Sequence, residues 1–228
     1  MQLDARSEEP DSFESFDGVR IAYRDLGRGP ATLLHHGFAS DSLTNWIRPG
    51  VAAALVEAGR RVILVDARGH GASEKPHDPR RYARGAMQRD ARALLDHLGV
   101  DEVDAVGYSM GSLVTIEMVL ADERIRSMVL GGVGTGQVTV SDPRRAARVA
   151  EGLEVEDRSQ IEDRTALAFR NFAEATGADR HALAAIQRAG RILASEEELA
   201  QVALPTLVVN GERDALVGRL ESLAELIP

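Results

Sequence analysis

The chain has 228 residues, 44% hydrophobic and 28% charged, enough for one globular core with an inserted subdomain. A net charge of −9 argues against a nucleic-acid or anionic-membrane partner, and the lack of cysteine excludes disulfides, thiolate metal sites and cysteine nucleophiles. No apolar run approaches the ~20 residues needed to cross a bilayer, and the acidic start MQLDARSEEP resembles neither a signal nor a transit peptide, so the expected location is cytoplasmic.

Ser12 to Phe16 and Arg20 to Asp25 are predicted strands joined at Asp17-Gly18, a dipeptide that favours a hairpin between extended runs. Ala31 to His35 is a third strand, followed by a polar loop and a helix from Val51 to Ala58 with Gly59 as its C-cap. The run RVILVD, Arg61 to Asp66, is nearly all apolar, as a parallel strand buried on both faces should be. Tyr82 to Leu98 has helical spacing of Ala86, Ala91, Leu94, Leu95 and Leu98. A strand from Val103 to Tyr108, a helix from Gly111 to Leu120 and a strand from Ile125 to Gly131 follow, and alternation resumes only with a strand from Leu204 to Gly211 and a helix from Leu216 to Leu226. Between them, 134–202 is helical and charged, and its Arg144, Arg145 and Arg148 are assigned to a solvated helix face. The expected fold class is therefore α/β, a mostly parallel sheet with flanking helices, with 1–133 and 203–228 as core and 134–202 as a helical cap insertion.

One stretch demands a chemical explanation. In VDAVGYSMGSL the chain runs from a strand into a helix around Ser109, with Gly107 and Gly111 two residues to either side. A sharp strand-to-helix turn lifts a serine hydroxyl above the sheet and aims a helix N-terminus at it, and the crowding requires small flanking residues. Such a hydroxyl becomes a useful nucleophile only with a base, an acid that orients the base, and donors for the oxyanion.

With these residues the chain resembles the α/β-hydrolase superfamily, from about Phe16 to its last residue. His36-Gly37-Phe38 at the end of the third strand is similar to that family's oxyanion turn, and Asp66 to Ser73 (DARGHGAS) to its D-x-R-G-x-G-x-S structural loop. The resemblance implies an oxyanion hole from the backbone N–H groups of Phe38 and Met110, with Gly37 and Tyr108 bordering the substrate. Asp214, in Asn210-Gly211-Glu212-Arg213-Asp214, matches the family's acid position, whereas Glu212, Asp101 and Asp104 are expected to be surface carboxylates. A serine in place of a carboxylate nucleophile argues against haloalkane dehalogenase or epoxide hydrolase chemistry.

The base is missing from this pattern. In the family a histidine follows the acid after an eighth strand, and here none follows Asp214. Of the six histidines, His36 belongs to the oxyanion turn, His35 to a buried strand end, His70 and His77 to loops, His97 to a core helix and His181 to the insertion. The expectation is a C-terminally shortened form of a longer hydrolase, which leaves TLVV as an exposed apolar sheet edge, and the alternative is a homodimer whose partner chain covers that edge. The implied activity is hydrolysis of small-molecule carboxylic esters or lactones through an acyl-enzyme, without metal or organic cofactor, and this chain by itself should be weakly active or inactive. The same serine could serve C–C bond hydrolysis or perhydrolysis, and the missing base also fits a non-catalytic ligand-binding or sensing protein on the same scaffold.

Overall fold

The computed structural model describes residues 9–190, 194–212, 214 and 221–228. Its seven strands are β1 (Asp11–Glu14), β2 (Arg20–Gly27), β3 (Ala31–His35), β4 (Arg61–Asp66), β5 (Val103–Tyr108), β6 (Ile125–Gly131) and β7 (Thr206–Val209). They form one sheet in the order β1-β2-β4-β3-β5-β6-β7. The hairpin of β1 and β2 is antiparallel, and β3 to β7 are parallel. Helices α1 (Val51–Glu57), α2 (Ala86–His97) and α3 (Met110–Ala121) connect successive parallel strands.

Both faces of the central strands are apolar because helices cover both. Leu33, Ile63 and Ala105 pack with Leu94 and Leu95 of α2 and Met118 of α3. Leu34, Val62 and Leu64 face the other way, onto Ala52 of α1 and onto Trp46 in the segment before it. Leu33 is fully buried, and truncating such a side chain to Ala costs about 3 kcal/mol.

The expected helix from Tyr82 to Leu98 is shorter than its periodicity implied. Pro79–Tyr82 is a 3₁₀ turn capped by Asp78, and α2 starts only after Gly85, whose φ of 76° breaks the helical path. β7 lies at the sheet edge, with Leu207 and Val209 respectively 56% and 50% exposed.

Between β6 and β7 come α4 (Thr135–Thr139), α5 (Pro143–Glu154), α6 (Arg164–Thr176), α7 (Arg180–Ala189) and α8 (Glu196–Ala200), without a strand among the described residues. Asp142, Asp163 and Asp179 each accept a first-turn amide and so start α5, α6 and α7. These three helices bury Val149, Leu153, Ala173 and Leu183 together with Phe38 and Ala39 of the turn after β3. These helices therefore pack against the turn that follows the carboxyl end of β3. The last helix, α9 (Glu221–Leu226), packs beside β7 and α8, and the earlier part of its expected span lies outside the described residues. No helix of the described residues is long and apolar enough to cross a membrane.

Candidate active site

Strand β5 ends at Tyr108 and α3 begins at Met110, so Ser109 alone makes the turn. It does so at φ 52°, ψ −112°, a region that costs a non-glycine residue about 1–3 kcal/mol. The surrounding hydrogen bonds hold it there. The Ser109 amide donates to Gly131 O at 2.7 Å, Ser112 N donates to Ser109 O at 3.0 Å, and Ser112 Oγ lies 2.9 Å from both Gly107 O and Gly131 O. The glycines are there for space: a Cβ on Gly107 would meet Gly111 O at 2.3 Å.

The turn after β3 is held as firmly. His36 Nε2 accepts the Ala67 N–H at 3.0 Å, so the ring proton is on Nδ1 and donates to Gly37 O at 2.8 Å. Gly37 N–H donates to Asn45 Oδ1 at 2.8 Å, and Ala39 O, at a residue with φ 59°, accepts the Thr176 hydroxyl of α6 at 2.8 Å. The N–H groups of Phe38 and Met110 have no hydrogen-bond acceptor among the described residues.

Phe38, Ser109 and Met110 share the wall of one cavity of about 140 Å³. Apolar side chains from the core and the insertion complete most of it, among them Met87, Leu113, Val149 and Ile186. Phe169 of α6 stands edge-on to Phe38 with ring centroids 5.3 Å apart. Two other expected site residues lie apart from this cavity. The Tyr108 ring, 43% exposed, leans over Gly132 and packs beside Gly37, and neither Gly37 nor Tyr108 lines the wall.

Asp214 lies beyond the carboxyl end of β7, half-buried, with its N–H donating to Gly211 O at 3.0 Å. The Asn210 side chain pairs with both Val133 N and Val133 O, which ties this loop to the end of β6. Asp214 does not line the cavity, and Arg213 and residues 215–220 lie outside the described residues. Asp104 is not a lone surface carboxylate: it pairs with Arg60 and accepts the Ser127 hydroxyl.

No histidine lines the cavity. His35 and His70 are buried, and desolvation, with a smaller push from His36, holds each ring down to about 3. His70 packs against the His36 and Phe38 rings, His97 stacks on Phe13, and His77 pairs with the Asp179 carboxylate at 3.0 Å. The Asp66–Ser73 loop is structural. Asp66 accepts the Ser42 and Ala72 amides, and Arg68, fully buried, bridges Asp17 and Asp90.

Arg145 corrects the reading of the arginine-rich helix. Arg148 pairs outward with Asp163 and Arg144 is exposed, but Arg145 lines the cavity with Asp142, Ala146 and Val149. Those positions are one face of α5 at helical spacing. Sequence periodicity alone could group them, but not say what the face meets.

The family profile described as alpha/beta hydrolase fold matches residues 30–182. Bifunctional epoxide hydrolase 2 of Sus scrofa is 33% identical over 112 residues, covering 49% of this chain and 20% of that protein. The non-heme haloperoxidase of Rhodococcus erythropolis is 35% identical over 147 residues, covering 61% of this chain and 48% of that protein. The matched segments thus span less than half the length of these relatives. The crystal structure of a hydrolase from Pseudomonas aeruginosa PA01 superposes with a TM-score of 0.77 at 28% identity, over 96% of this chain and 85% of that one. A strained serine between a parallel strand and a helix, a sheet in this order and a profile match over most of the core have one common explanation: the chain belongs to the alpha/beta hydrolase fold family.

Proposed function

We propose that the protein is a serine hydrolase of small-molecule carboxylic esters or lactones, with Ser109 as nucleophile. The observation that carries this is the backbone of Ser109, held at φ 52° with the residue in the wall of the cavity. A residue kept in so strained a conformation by four neighbouring groups is more economically explained by chemistry than by packing.

In this reading Ser109 Oγ attacks the substrate carbonyl and its proton passes to a general base. The tetrahedral oxyanion is held by the Phe38 and Met110 N–H groups, which have no other acceptor among the described residues. Collapse expels the alcohol, which takes the proton back, and water then releases the acid from the acyl-enzyme by the same steps. Asp214 is the acid that orients the base in this reading, and none of the six histidines in these 228 residues lines the cavity. The segment 134–202 acts as a cap that sets substrate size, over a core of 1–133 and 203–228. The serine at the nucleophile position argues against epoxide opening, which in this fold uses a carboxylate.

A fluorophosphonate probe tests the nucleophile directly. Labelling of Ser109, lost in Ser109→Ala, supports the proposal, and a chain that is never labelled contradicts it. The placement of the histidines favours a second reading, a ligand-binding protein that retains the scaffold without turnover. p-Nitrophenyl acetate hydrolysis above background and dependent on Ser109 rules that out.

A further inference from the structure

We propose that Arg145 binds a free carboxylate on the substrate, separate from the carbonyl placed at Ser109, so that the site takes esters or lactones of dicarboxylic acids. This rests on the acyl-transfer reading of Ser109 and extends it to the substrate's second functional group.

Asp142, Arg145, Ala146 and Val149 all line the cavity, and their spacing puts them on one face of α5. Val149 is 1% exposed and packs in one cluster with Phe38 and Ala39, which docks that face of α5 against the turn after β3. The cavity wall is otherwise mostly apolar, with Phe38, Met87, Leu113, Phe169 and Ile186 contributing.

Of the other charged groups in the wall, Arg84 is paired with a carboxylate and Asp142 caps a helix. Arg84 Nε lies 3.6 Å from Glu117 Oε1, and Asp142 Oδ1 accepts the Arg145 amide at 2.9 Å as the cap of α5. The Arg145 guanidinium has no carboxylate within 4.0 Å and no side-chain hydrogen bond among the described residues. An arginine in the wall of a mostly apolar cavity, with no carboxylate within ion-pair distance of its guanidinium among the described residues, is matched by a planar anion, and carboxylate accepts its two parallel N–H groups. The rest of such a ligand, a hydrocarbon chain, suits the apolar wall.

The test measures binding, which does not require turnover. The monomethyl esters of succinate, adipate and suberate are titrated calorimetrically against methyl butyrate, methyl hexanoate and methyl octanoate, which keep an ester of similar length and lack the free carboxylate. At least one half-ester is expected to bind about tenfold or more tightly than its uncharged partner, the size of a charge-assisted hydrogen bond. In Arg145→Gln the ratio falls toward one, in Arg145→Lys part of it is retained, and in Arg144→Gln, on the exposed face, it persists. Equal affinities throughout the series, or a ratio that survives Arg145→Gln in a folded protein, would overturn the proposal. Fluorophosphonate labelling of Ser109 reports separately on the nucleophile. A ratio that depends on Arg145 in a protein that never labels upholds the anion site and removes the acyl-transfer reading.

Discussion

A Cβ on Gly111 would stand 2.2 Å from the carbonyl oxygen of His35, so the start of α3 and the end of β3 meet at a distance only glycine permits. That approach brings the Phe38 and Met110 amides to the same cavity. Gly111→Ala should therefore separate the two segments. We expect a loss of about 2 kcal/mol or more in urea unfolding, as for an overpacked core, together with loss of fluorophosphonate labelling. Wild-type stability and labelling in this variant would contradict the close approach.

Ser109 should carry measurable strain. A glycine accepts φ 52° at little cost, whereas alanine keeps the Cβ. Ser109→Gly is expected to be more stable than Ser109→Ala by about 1 kcal/mol, the reverse of the usual order inside secondary structure. Thermal unfolding of the two variants side by side gives the comparison, and an alanine variant that melts higher would refute it.

Arg68 is enclosed by Asp90, which its Nε and Nη2 contact at 2.6 Å, and by Asp17 at 3.0 Å. Burial pushes the Asp90 carboxyl above the usual carboxylate range despite this partner. Arg68→Met leaves the Asp90 carboxylate buried and uncompensated and should cost about 3–5 kcal/mol. The double variant Arg68→Met with Asp90→Leu should recover a large part of that loss. Urea midpoints of the single and double variants decide the matter, and a double variant no better than the single would show that the loss is not electrostatic.

Acid should destabilise the protein through its buried histidines. Burial holds His35 and His70 down to about 3, against 6.5 for an ordinary imidazole. Between those values the unfolded chain binds protons that the folded chain excludes. Their contribution is thus complete above pH 6.5 and is lost as the pH falls toward 3, by about 1.4 kcal/mol per pH unit for each ring. His70→Gln should lower the slope of stability against pH by about one proton over this range. Denaturant melts at a series of pH values measure that slope, and an unchanged slope would mean that His70 is protonated in the folded state.

Several elements were legible from local pattern. The predicted strands Ala31–His35, Arg61–Asp66, Val103–Tyr108 and Ile125–Gly131 coincide with β3 to β6, because parallel strands covered on both faces are continuous apolar runs of short length. Gly107 and Gly111 marked the elbow because crowding leaves no room for any other residue there. The break at Gly85 was hidden, since periodicity records which side chains share a face and not the sign of a φ angle.

What a residue meets across the fold was not legible. Arg144, Arg145 and Arg148 are alike in sequence, and only the docking of α5 over the β3 turn sends Arg145 to the cavity and Arg148 to Asp163. Tyr108 neighbours Ser109 in the chain, yet its ring turns toward Gly132, because successive residues at the end of a strand point in opposite directions. The chain alone specified the turn at Ser109 through steric demands confined to a few residues. The contents of the cavity around it depend on helices more than 30 residues away, whose placement follows from burying their apolar faces against the core.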